Sequence, residues 1–147
     1  MEQENKYDIV FPAIGIDGWS FIFSIRDEQD LVLCTRRGIR KGFYKNLIVL
    51  DSRSQLFIIK NISIIGYAPW RYWLSMLDIG VRVKLEMTEP EILSLDKFKE
   101  MIIDRMKNER DLWESGDPLG IYINPIRKSA TAADITQYFC ELYYRKY

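Results

Sequence analysis

The chain has 147 residues, 48% apolar and 14% aromatic, and its 21 Lys and Arg balance 21 Asp and Glu. That length and apolar content suit one domain and exclude a disordered tail, a collagen-like repeat or a low-complexity linker, because there is enough apolar area to offset chain entropy. Zero net charge argues against a globally basic nucleic-acid binder, and the absence of any histidine removes Ser-His-Asp and Cys-His triads, histidine acid–base chemistry and the usual histidine-containing metal sites.

Met1-Glu-Gln-Glu-Asn-Lys6 has neither the basic stretch nor the apolar run of a signal peptide. The longest uncharged run, Asn61–Trp70, is ten residues and carries Gly66 and Pro69, whereas a membrane span needs about twenty. The expectation is a cytoplasmic protein without a membrane partner. Tyr7–Phe11 is compatible with a first strand. Trp19, Phe21, Phe23 and Ile25 alternate with Ser20, Ile22 and Ser24, the period of a strand with one aromatic face. Asp27–Asp30 reads as a polar turn that returns Leu31–Thr35 as the second arm of a hairpin. Leu47–Ser52 and Leu56–Ile65, separated by Arg53-Ser54, predict a second hairpin. Val81, Val83, Leu85 and Met87 alternate with Arg82, Lys84 and Glu86, a strand with one solvated face.

The period then changes. Ser94 is a good N-cap, and Leu95, Phe98, Ile102, Met106 and Trp113 fall near helical spacing, predicting a helix over residues 95–114 that ends before Gly116. Thr131-Ala-Ala-Asp134 resembles a capping box, and Ile135, Tyr138, Phe139, Leu142 and Tyr143 form the apolar stripe of a second helix over 132–145. Two segments stay open. The aromatic stretch 66–79 suits a turn of helix lying over a sheet face. In 117–129 Asp117-Pro118 could open a helix, but Gly120–Pro125 looks more like an extended piece, and Pro125 forbids an undisturbed helix through that point. Strands first and helices last predict a single α+β domain over residues 1–147: an antiparallel meander of five or six strands between about residues 7 and 87, covered by two C-terminal helices.

Charge is segregated. Residues 1–30 hold seven acids against two bases, and residues 31–60 hold seven bases against Asp51 alone. Neighbouring blocks of this kind either neutralise each other or present two surfaces of opposite sign. Within the basic block, Thr35–Asn46 carries five cations, Gly38, Gly42, Phe43 and Tyr44. Its glycine amides could approach a phosphate and its aromatics could stack on a base; the plainer reading is a long soluble hairpin loop. No P-loop or RNA-recognition signature accompanies it. A metal-dependent nuclease pattern fails at once, because the position two before Lys60 is Ile58 rather than an acid. Glu86, Glu89 and Glu91, with Pro90 among them, read as a solvated strand end. No metal or cofactor is therefore expected, and Cys34 and Cys140 read as reduced core thiols. Among the aromatics, Trp70, Tyr72 and Trp73 cluster, and Tyr144 and Tyr147 lie off the apolar stripe beside Arg145 and Lys146, which makes those two the interface candidates.

Three stretches carry a likeness: Leu33–Tyr44, Leu47–Ser52, and Ser94–Lys99 with Trp113. With them the chain resembles the small bacterial immunity proteins that serve as antitoxins in contact-dependent growth inhibition and other polymorphic toxin systems. The resemblance extends over most of the chain in size, α+β order and lack of a catalytic constellation, and it transfers no functional residue. It implies a non-enzymatic protein whose partner is a cognate toxin domain, bound one to one so that the toxin's active site or substrate surface is covered. A cationic toxin would be met by Asp17, Asp27, Glu28 and Asp30. A toxin with an acidic centre would be met by Arg36, Arg37, Arg40 and Lys41. The alternative expectation is a small nucleic-acid-binding module acting through residues 35–46.

Overall fold

The computed structural model describes residues 8–17, 21–72, 78–113 and 118–146. Short strands and helices alternate at first: β1 (Ala13–Ile16), β2 (Ile22–Ile25), α1 (Glu28–Val32), β3 (Leu33–Thr35), α2 (Arg36–Arg40) and β4 (Ile48–Leu50). Three further strands follow: the long β5 (Gln55–Tyr67), then β6 (Gly80–Met87) and the short β7 (Glu91–Ile92). Helices α3 (Leu95–Asn108), α4 (Arg110–Trp113), α5 (Leu119–Lys128) and α6 (Ala132–Lys146) complete the order.

All strand pairs are antiparallel, in the order β2-β1-β4-β5-β6-β3, with β7 also on β5. β5 changes partner along its length. Leu56–Ile58 pair with β4 on one edge, while Ile59–Tyr67 pair with β6 on the other. Two register shifts, at Ile59/Asn61 and Ile64/Gly66, interrupt the β5–β6 ladder. Irregularities of this kind bend a strand and sharpen its twist, so the sheet curls.

Alternation along the strands divides the core in two, since successive side chains point to opposite faces. Ile14, Ile16, Leu50 and Leu56 face the helices, packing with Phe98, Ile102, Met106, Trp113, Ile123, Ile135 and Phe139. Ala13, Val49 and Phe57 face the concave side, with Leu31, Tyr44, Leu47, Val81 and Val83. Gly15 stands opposite Phe23, whose ring lies where a side chain would be: a Cβ at Gly15 would come within 2.4 Å of it. Asp51, fully buried, accepts from the amides of Val10, Arg53 and Gln55 and from the Gln55 side chain, which organises the turn between β4 and β5.

The α+β class, the β4–β5 hairpin, strand β6 and the buried stripe of Phe98, Ile102, Met106 and Trp113 agree with the sequence. Several finer expectations are corrected. Asp27–Asp30 is no hairpin turn. The Asp27 carboxylate accepts from the Asp30 amide at 3.1 Å and caps α1, and that helix carries the chain away from β2. Leu33–Thr35 then pairs with β6 at the far edge of the sheet, so the order is not a simple meander. Residues 8–11 form no strand; Ala13–Ile16, just after them, does. The strand expected from Trp19 begins at Ile22, and Trp19 itself lies outside the described residues. The expected helix 95–114 breaks at Glu109, between α3 and α4. From Leu119 the open segment 117–129 is helical, with Pro125 inside α5, so more than two helices back the sheet.

Candidate protein-interaction surface

The expected acidic contacts do not form one patch. Asp17 lies between β1 and β2, where it accepts from the Phe21 amide at 2.9 Å. Asp27, Glu28 and Asp30 lie beyond the other end of β2, whose four residues span about 10 Å at the usual rise per residue. Asp30 is engaged within the protein. It bonds the Arg26 guanidinium at 3.0 Å and accepts from the Tyr144 hydroxyl at 3.2 Å, while that guanidinium lies 4.3 Å from the centre of the Tyr144 ring. Burial pushes the Asp30 carboxyl up, but the hydrogen bonds from the Arg26 side chain and amide outweigh it and hold the group below its ordinary value. Burial, reinforced by the Asp30 charge, pushes the Tyr144 phenol up to about 12. Asp30 and Tyr144 therefore brace α6 against the start of α1. Tyr147 lies outside the described residues.

The expected cationic contacts do share a place. Thr35 caps α2 by accepting from the Gly38 amide at 3.0 Å, and the Arg36 amide donates to the Ile79 carbonyl at 3.0 Å. Asp78 accepts from the Arg37 amide at 3.0 Å, and that bond holds its carboxyl below the ordinary value. Arg36, Arg37, Arg40 and Lys41 are exposed around this anchored turn, and none is in an ion pair with another described residue. The aromatics of the same segment turn inward. Phe43 packs between Phe23 (5.5 Å) and Tyr44 (4.8 Å), and Tyr44, buried, donates its hydroxyl to the Leu31 carbonyl at 2.7 Å. Neither is placed to stack on a base.

Beside these cations is a set of exposed apolar side chains that sequence reasoning did not assign to a site. Trp70 is 65% exposed, Tyr67 64%, Ile65 60% and Ile64 54%, with Ile79 nearby. The backbone brings them to the α2 end of the sheet: Tyr67 pairs with Val81, the Ala68 amide bonds the Gly80 carbonyl, and Gly80 pairs with Thr35. Residues 70–72 make the helical turn allowed for in 66–79, with the Arg71 guanidinium 5.6 Å from the centre of the Trp70 ring. The one hint in the sequence was the density of aromatics there.

Between this patch and β4 runs an open strand edge. β4 leaves β5 where the Ile59 amide bonds the Leu47 carbonyl, because the chain before Leu47 turns through Asn46 at φ 58°. From Lys60 to Gly66, no described strand pairs with that edge. The Ile62 amide donates instead to the neighbouring Asn61 side chain at 2.9 Å, and a Cβ at Gly66 would meet no atom within 4 Å. Cations predominate in this part of the sequence, with eight from Leu31 to Leu77 against the buried Asp51, although Asp78 lies beside Arg37 and Glu86 pairs with Asn61 across β5 and β6.

Burial pushes the Cys34 thiol up to about 11 and raises the Tyr44 phenol further, so both are protonated at neutral pH. Among the described residues no cluster of three acidic or cysteine side chains is placed to hold a metal ion, and no helix is long and apolar enough to cross a membrane. Neither a protein-family model, nor a curated protein, nor a solved structure matches the chain.

Proposed function

We propose that this chain is a non-enzymatic immunity protein that neutralises a toxin domain by covering an acidic part of it with the α2 end of the sheet. The observation that carries this reading is the juxtaposition of exposed Trp70, Tyr67, Ile64 and Ile65 with the exposed cations Arg36, Arg37, Arg40, Lys41 and Arg71. Tryptophan, tyrosine and arginine dominate binding energy at protein interfaces, and a one-signed rim of charge speeds encounter with a partner of opposite sign. Apolar area left in water has no stabilising role in the free chain, whereas an interface would bury it. The acidic block is the weaker candidate, because it is split and Asp30 is held by Arg26 and Tyr144.

The test is co-purification with the C-terminal domain encoded by the reading frame immediately upstream. A one-to-one complex is expected, weakened at least tenfold by Trp70→Ala and by Arg36→Ala/Arg37→Ala, and weakened by salt. If no complex forms, the immunity reading is lost. The nucleic-acid alternative is checked on the same protein with mixed-sequence RNA and DNA at low salt. Binding there, with a salt slope flattened by Arg36→Ala/Arg37→Ala, would overturn the proposal in favour of that alternative.

A further inference from the structure

We infer that the β5 edge from Lys60 to Gly66 receives an extended acidic segment of the partner as an added strand. The inference rests on the reading that this end of the molecule binds a protein, and specifies how.

An unpaired strand edge is a row of backbone donors and acceptors that another chain can complete. Protected edges carry lysine, proline, inward charge or bulges, or are very short. Lys60 and the register shifts at Ile59/Asn61 and Ile64/Gly66 mark the two ends of this edge, and between them residues 61–64 carry neither charge nor proline. The Ile62 amide shows what occupies the edge in the free chain. It is bonded to the Asn61 side chain, a local partner that a rotamer change releases without disturbing the β5–β6 ladder.

Charge selects the occupant. Lys60 begins the edge, and Lys45 sits two residues before the point where β4 leaves β5. Arg71 follows its far end, with the α2 cations beyond. A second copy would bring this same cationic half of the chain against itself, and like charges held together are unfavourable. An acidic strand meets attraction at both ends of the edge, from Lys45 and Lys60 and from Arg71. Thus the surrounding cations disfavour self-pairing, which an uncharged edge would otherwise invite, while admitting a partner of opposite sign.

The full-length chain is titrated with three end-capped eight-residue peptides. The first alternates valine with glutamate and threonine, the second has a central proline, and the third has lysine for each glutamate. Amide hydrogen exchange along β5 is followed by NMR. The acidic peptide should slow exchange at Ile62 and its neighbours at least tenfold, and the proline and lysine peptides should bind at least tenfold more weakly. Equal binding by the proline peptide would mean charge attraction alone and overturn strand addition. So would absent protection, or protection that grows with protein concentration in the peptide-free chain, which would assign the edge to a second copy. A toxin domain that binds while β5 stays unprotected removes this inference and leaves the immunity reading intact. Peptide docking on a chain that captures no toxin does the reverse.

Discussion

The two sides of this sheet are finished differently. On the helix side, polar groups tie one element to another. Glu109 accepts from the Ile22 amide at 2.9 Å and from the Trp113 indole at 3.3 Å, Thr136 and Ser52 share a hydrogen bond of 2.8 Å, and Tyr138 donates to the Tyr122 carbonyl at 2.9 Å. On the other side the core is equally buried around Phe57 and Val81, and the Tyr44 and Tyr72 hydroxyls donate to the Leu31 and Leu33 carbonyls, yet β5 runs beyond β4 with Ile64 and Ile65 exposed. Burial and exposure of similar side chains within one sheet show that apolar content alone does not decide their role. What decides it is whether another element of the chain is there to cover them.

The largest expected effect breaks the covered side. Trp113 is 1% exposed and packs at 5.6 Å from Phe139. Trp113→Ala leaves a cavity among α3, α5 and α6 and should cost about 3–5 kcal/mol in denaturant unfolding. A loss below about 1 kcal/mol would mean that the helices do not depend on this side chain for their seat on the sheet. Next is Gly15→Ala. Its Cβ would meet the Phe23 ring, which is itself fixed by Phe43, and overpacking of that kind costs about 1–3 kcal/mol. Phe23→Ala in the same chain should remove most of the Gly15→Ala penalty, a non-additivity that identifies the ring as its cause.

A smaller effect reads the seam between the helices and β2 by pH. Burial raises the Glu109 carboxyl above its ordinary value, against the hydrogen bonds from Ile22 and Trp113. The folded state therefore holds the proton more tightly than the unfolded one. That contribution is complete below the unfolded pKa and is lost as pH rises through the folded one. Relative to Glu109→Gln, the unmodified chain should lose stability as pH rises above the ordinary glutamate range. An opposite slope in urea titrations would mean that the hydrogen bonds outweigh burial at this site.

Legibility followed the range of the interactions. The α3 stripe and the β4–β5 hairpin are set by local periodicity and a polar turn, and both could be read directly. Asp27 was recognised as a turn residue, but the same carboxylate serves a turn or a helix N-cap, and only the destination of Leu33–Thr35 on β6 distinguishes them. Pro125 misled in the other direction, since α5 tolerates it within a helix whose buried Leu119, Ile123 and Ile126 hold the segment down. The cationic patch was visible as composition. The open β5 edge was not, because it depends on where β4 stops pairing, a long-range event that leaves no mark in residues 60–66 themselves.

The smallest expected effect on stability belongs to the exposed side, and its smallness is informative. Trp70 and the α2 arginines have little to lose on unfolding: the indole is mostly in water already, and none of Arg36, Arg37 or Arg40 is in an ion pair with another described residue. Trp70→Ala and Arg36→Ala/Arg37→Ala should each shift unfolding by no more than about 0.5 kcal/mol, the usual range for surface substitutions. The same variants should weaken toxin capture at least tenfold, so melting curves and binding isotherms measured on one preparation would separate. If Trp70→Ala instead lowered stability as Trp113→Ala does, the ring would belong to the concave core, and the distinction between side chains that hold the fold and those proposed to meet a partner would fail at its most exposed aromatic residue.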